Sequence, residues 1–165
     1  MFLQAQGVNF EVTSLAEIRS ERVHQFATWW LRMRGDRRCP SRDDFNPAEF
    51  KNLLPQFVLA DISYDPFDVR FRLCGTMVAS LDEDLTGRRL DELQHSTPTE
   101  IAALKRQYEA VCQTVQPIFV RGQTTSPLTM VPIGYEGGLW PLSSDGRVVD
   151  RCAGIQDMTL FPQSL

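Results

Sequence analysis

VRFRLCGTMVASLDEDLTGRRLDEL, residues 69–93, starts with a regular period and then abandons it. Val69, Phe71 and Leu73 alternate with Arg70 and Arg72, the signature of a strand with one apolar face. After Gly75 neither the two-residue nor the 3.6-residue spacing survives, because the acids Asp82, Glu83 and Asp84, with Gly87, divide the run into fragments. This predicts a short helix over 76–81, a turn through Thr86 and Gly87, and a second helical piece near Leu90. Immediately upstream, QFVLADIS (56–63) is apolar on both faces, as a central strand is, and YDPFD (64–68) is a turn set by Pro66. The two strands are expected to pair as an antiparallel hairpin.

Downstream, Thr97, Pro98 and Glu100 combine an N-cap, a first-turn proline and a capping glutamate. They open a helix expected to reach about Val115, with Ile101, Leu104, Tyr108, Val111, Cys112 and Val115 on its buried side. The remainder reads as strands: PIFVRGQTT (117–125), TMVPIGY (129–135), a turn at EGG (136–138), LWPLS (139–143), the tight link Ser144-Asp145-Gly146, and RVVDRCAGIQDM (147–158). Pro132 and Pro141 cannot donate to a ladder and mark edge or irregular positions.

Upstream, Ser14 and Glu17 have capping-box spacing and predict a helix from near Leu15, closed by Gly35. Val23, Phe26, Trp30 and Met33, with Trp29 beside them, form a wide apolar stripe along it. Leaving that stripe in water forfeits about 1.5–3 kcal/mol for each large side chain. It must cover either the chain's own sheet or the same helix of a second subunit, and the two can coexist. Between Arg32 and Arg42 five arginines face one acid, Asp36. They read as cations complementing a helix C-terminus, or as a docking patch for an acidic partner centred on Arg37 and Arg38. AEFKNLL (48–54) is a short helix bracketed by Pro47 and Pro55.

A chain of 165 residues is long enough for one good core, and dividing it would leave two marginal ones. A net charge of -4 disfavours a general nucleic-acid binder. No stretch is apolar for the span a membrane helix needs, and the N-terminus lacks the form of an export signal, so a cytoplasmic location is expected. Four scattered cysteines, Cys39, Cys74, Cys112 and Cys152, give no local metal or redox motif.

Two strands, an irregular stretch of short helices, a longer helix and three closing strands is the order of a PAS domain. The run 69–93 resembles the front half of such a core, where a strand ends in Gly-Thr and a later Thr-Gly with a basic residue starts a short helix. LWPLSSDGRVVDRCAGIQDM (139–158) resembles its closing hairpin. WWLRMRGDRRCPSRDDFNPAEFKNLLPQFVLADI (29–62) is similar to the lead-in of a family of bacterial stand-alone PAS-like proteins, mostly of unassigned function. The resemblance implies an α+β fold: a five-stranded antiparallel sheet with helices over one face and an extra N-terminal helix. The expected divisions are an arm at 1–14, a helical extension at 15–56, the core at 57–160 and a tail at 161–165.

The resemblance further implies a mostly apolar cavity between the sheet and the long helix. Its expected lining is Phe71, Leu73, Met77, Leu81, Leu104, Tyr108, Val111, Phe119, Met130 and Trp140, residues that could equally fill one another's space as a solid core. The expected partner surface is Val23, Phe26, Trp29, Trp30, Met33, Arg37 and Arg38, serving a homodimer or a signalling protein. Haem is disfavoured because His24 and His95 are the sole histidines and neither sits on a buried helical face. Flavin photochemistry is disfavoured because no cysteine has the neighbours such sensors carry, so no cofactor is named. Nothing assembles a nucleophile, base and orienting group, and G-x-S-x-G is absent. The expectation is a non-catalytic sensory or regulatory domain binding a small molecule, a signalling partner or both. Its rivals are an interaction module with no ligand and a nucleic-acid-associated regulator using the arginine patch. With no output segment after residue 157, a signal is expected to pass by contact or self-association.

Overall fold

The capping box formed by Ser14 and Glu17 opens a single 3-10 turn, Leu15–Glu17, and not the long helix. The helix α1 (Glu21–Arg34) begins six residues later, where the Ser20 side chain accepts from the Val23 N–H, and it ends at Gly35 as expected. A computed structural model describes residues 9–158 apart from residue 127. The expected tail and the first eight residues of the expected arm lie outside them.

Beyond α1 and short 3-10 turns come β2 (Phe57–Ser63), β3 (Asp68–Cys74), α2 (Thr76–Leu81), α3 (Pro98–Thr114), β4 (Ile118–Thr125), β5 (Pro132–Leu142) and β6 (Arg151–Asp157). A further strand, β1 (Asn9–Thr13), rises from the segment read as an arm. The sheet therefore has six strands, one more than expected, in the antiparallel order β1-β4-β5-β6-β2-β3.

The turn expected at EGG does not form, and β5 runs straight through it. One glycine there meets a packing need. A Cβ on Gly138 would stand 2.3 Å from the Trp140 ring, so the glycine is the floor on which that ring lies. Pro141 falls where β4 has already ended, its last pair being Ile118 with Leu139, so the missing N–H faces no strand. The Pro141 carbonyl instead accepts from the Trp30 indole N–H at 2.9 Å, tying α1 to the local edge. Gly75 is equally constrained, since a Cβ there would lie 2.3 Å from the Pro55 carbonyl oxygen.

Directly opposed residues of an antiparallel pair share a face. Phe119 opposes Gly138, Ile155 opposes Gly138, Ala153 opposes Trp140, and Phe57 opposes Ile155. Phe26 of α1 meets Trp140 and Phe57 with ring centroids 4.8 and 5.8 Å apart, so α1 covers this face. The opposite face carries Val120, Leu139, Cys152, Ala60, Phe71 and Val69. Tyr108 of α3 meets Phe71 there at 6.4 Å.

Because the Trp140 ring is fully buried between Phe26 and Phe119, it cannot yield cheaply to a methyl group. Gly138→Ala should cost about 1–3 kcal/mol by overpacking. Thermal denaturation should show the midpoint falling by about 2–4 °C for each kcal/mol; an unchanged midpoint would contradict the packing described.

Candidate functional site

The face under α3 holds the expected lining only in part. Phe71, Leu104, Tyr108 and Val111 are buried there, each in contact with the common core. Met77 and Leu81, on α2, are half-buried. Phe119 and Trp140 are a correction: they belong to the opposite face and pack on each other, and Trp140 packs on Phe26 of α1. Leu73 is a second. Leu59 pairs with Leu73 while Ala60 pairs with Phe71, so Arg72 is an extra, bulged residue. The bulge inverts the alternation, and Leu73 is 39% exposed. Met130 is a third, being 73% exposed in the turn before β5 with a φ of 58°.

The apolar stripe of α1 is likewise redirected. Val23, Phe26, Trp29 and Trp30 are buried within the chain, among Phe45, Phe50, Phe57 and Trp140, and so present no surface to a second subunit. Met33 is half-buried against the same core. Arg37 donates to the Met33 carbonyl and pairs with Asp44 at 2.8 Å, while Arg32 pairs with Glu49 at 3.9 Å. These are helix-end contacts of the kind a C-terminal dipole favours. Arg38 is exposed.

The irregular stretch after α2 is held in place by polar groups that the sequence left unassigned. Gly87 N–H donates to the Phe71 carbonyl and Phe71 N–H to the Arg88 carbonyl, each at 2.9 Å, covering the free edge of β3. Glu83 turns inward, and one carboxylate oxygen accepts the N–H groups of Gln94 and His95 at 2.9 and 3.2 Å. The His95 ring nitrogen Nδ1 lies 3.3 Å from an Asp82 oxygen. Ser126 donates to the Leu81 carbonyl at 2.6 Å, closing this rim against the start of the β4–β5 connection. Three residues of metal-ligating type, Asp82, Glu83 and His95, thus gather where α2 gives way to the approach to α3.

A sequence family described as "PAS domain" matches residues 18–156, well over half of the chain. The chain belongs to the PAS domain family. No curated protein and no solved structure matches it significantly. The α+β architecture, with an antiparallel sheet between α1 and α3, agrees with the expected PAS-like fold. The match starts at Ile18 and so takes in α1. PAS domains are in general sensory and regulatory modules, typically non-catalytic. Among the described residues of this PAS domain no helix is long and apolar enough to cross a membrane.

The thiols differ sharply in environment. Burial pushes the Cys39 thiol up to about 11 and holds Cys152 far above the ordinary range. Burial also raises Cys74. Cys112 is lowered, chiefly because the Cys152 thiol donates a hydrogen bond to it. Since the thiolate is the nucleophile, a neutral disulfide reagent near pH 8 should label Cys112 first and Cys39 and Cys152 only on unfolding. Mass mapping that found Cys152 labelled as fast as Cys112 would show the described packing to be wrong.

Proposed function

We propose that this PAS domain is a non-catalytic sensory module that takes a small, mainly apolar molecule on the α3-covered face of its sheet. The observation that carries this reading is Gln156. It opposes Gly137, one residue from Gly138 on the Trp140 face and therefore pointing the other way, on the face shared by Val120 and Leu139. It is 2% exposed, and its amide nitrogen has no acceptor among the described residues. An unsatisfied buried donor costs about 1–3 kcal/mol, a cost that a carbonyl or similar acceptor on a ligand removes. Apolar walls with one orienting polar group are the usual composition of a small-molecule site. Phe71, Leu104, Tyr108 and Val111 supply the walls.

Gln156→Leu separates this reading from a solid core without a ligand. Removing the orphan donor should raise the ligand-free melting temperature by about 2–4 °C for each kcal/mol relieved. The same variant should lose the thermal stabilisation that small carbonyl-bearing apolar compounds give the wild type by mass action. If no compound in such a screen stabilises the wild type, and native mass spectrometry of protein from its host carries no added mass, the ligand reading fails and the interaction module stands.

A second reading, contact with a partner or second copy through the outer face of α1, is favoured by Leu31. It is 53% exposed on a helix whose inner face is fully used, with Arg37 and Arg38 exposed just beyond the helix end. Light scattering should then find a dimer for the wild type and a folded monomer for Leu31→Glu; a monomeric wild type removes self-association through this face.

A further inference from the structure

Two acidic residues and a histidine, none of them part of the Gln156 reading, converge at the rim between α2 and α3. Asp82 and Glu83 leave α2, and His95 precedes the Thr97 cap of α3. One ligating atom from each of the three lies within 4.8 Å of the others. The His95 Nδ1 to Asp82 Oδ1 separation is 3.3 Å. Two ligands bound to one tetrahedral ion by bonds of about 2.1 Å stand roughly 3.4 Å apart, so this edge already has the right length.

Glu83 supplies an independent indication. The residue is 8% exposed, and its Oε2 has no hydrogen-bond donor. The Arg88 Nε stands 3.6 Å from that oxygen and donates to the Asp84 carbonyl at 3.2 Å. The other oxygen, Oε1, is fixed by the Gln94 and His95 N–H groups. A carboxylate oriented by backbone donors on one oxygen, while the second, buried oxygen accepts no hydrogen bond and has only the Arg88 ion pair beside it, is how outer-shell contacts hold a ligand ready for a cation.

We propose that Asp82, Glu83 and His95 bind one divalent transition-metal ion of the zinc class. Imidazole with two carboxylates suits zinc and its neighbours better than magnesium or calcium, which favour sets made of oxygen alone. Three protein ligands leave a fourth position for water or for a donor from a bound molecule. The ion ties the exit of α2 to the entry of α3, so its occupancy sets how firmly the helical cover is held over the sheet. No ligand on the sheet face is needed for this, and the site stands or falls separately from the Gln156 reading.

The test uses the full chain, stripped with a chelator and titrated calorimetrically with zinc ion alone at neutral pH. One saturable site is expected, together with a higher melting temperature in the presence of zinc. Cobalt substitution should give the visible absorption of a tetrahedral centre. His95→Gln retains a hydrogen-bonding side chain beside Asp82, and it should weaken zinc at least about tenfold and abolish the cobalt bands. Its near-ultraviolet dichroism should match the wild type. Glu83→Gln should do the same, and should it fail to fold, His95→Gln alone decides. Undiminished zinc binding by folded His95→Gln, as thiol ligation elsewhere would give, overturns the proposal. So does the absence of saturable zinc binding by the wild type, or a preference for magnesium over zinc.

Discussion

Glu136 and Asp157 oppose each other on β5 and β6, both buried and both facing α1. Two carboxylates side by side out of water are tolerable only when donors meet them, because a buried charge without a partner costs several kcal/mol. Here the start of α1 provides those donors. The N–H groups of Arg19 and Ser20 each reach Glu136 at 2.7 Å, the Ser20 hydroxyl reaches Asp157 at 2.6 Å, and Arg22 stands 3.3 Å from the same carboxylate. The helix can lie in no other place without abandoning them. Once its start is fixed, Val23, Phe26, Trp29 and Trp30 fall across the sheet in sequence, and the indole of Trp30 closes the far end on Pro141.

The two faces of the sheet consequently differ in kind. The α1 face is a continuous aromatic layer in which Phe26, Trp29, Phe45, Phe50, Phe57 and Trp140 meet at centroid distances from 4.8 to 6.2 Å. Packing of that density resists change of volume and makes a rigid support. The α3 face mixes smaller aliphatic groups with polar ones, among them Gln156 and Tyr108, whose hydroxyl is held neutral by burial. The rim beside it carries Asp82, Glu83 and His95. Chemistry therefore collects on the side that α2 and α3 cover.

Much of this architecture could be read from residue order. The run from Val69 announces a strand by its period, the Thr97-Pro98-Glu100 signal places the start of α3 as observed, and Gly35 ends α1. These are local devices, decided by neighbours a few residues apart. The errors share one cause, that a local signal was outweighed by a distant contact. Ser14 and Glu17 do form their box, but Glu136 and Asp157 draw the true helix start to Ser20. Glu136-Gly137-Gly138 has turn composition, yet the Trp140 ring needs the bare glycine and the strand continues. The Arg72 bulge reverses the side on which Leu73 emerges, and bulges leave little trace in composition.

The sequence by itself determined that one α+β domain would form, where most strands and the long helix would lie, and that the chain would follow the PAS order, because propensity, capping and periodicity act at short range. Only the tertiary structure decided which face each side chain serves. It sent Phe119, Trp140 and the α1 stripe into a layer of their own, left the Gln156 amide nitrogen without an acceptor among the described residues, and brought Asp82 and Glu83 together with His95, twelve or more positions further along the chain. Face and proximity depend on register between strands remote in the chain. A single extra residue in one strand shifts every side chain after it, so such assignments belong to the assembled sheet.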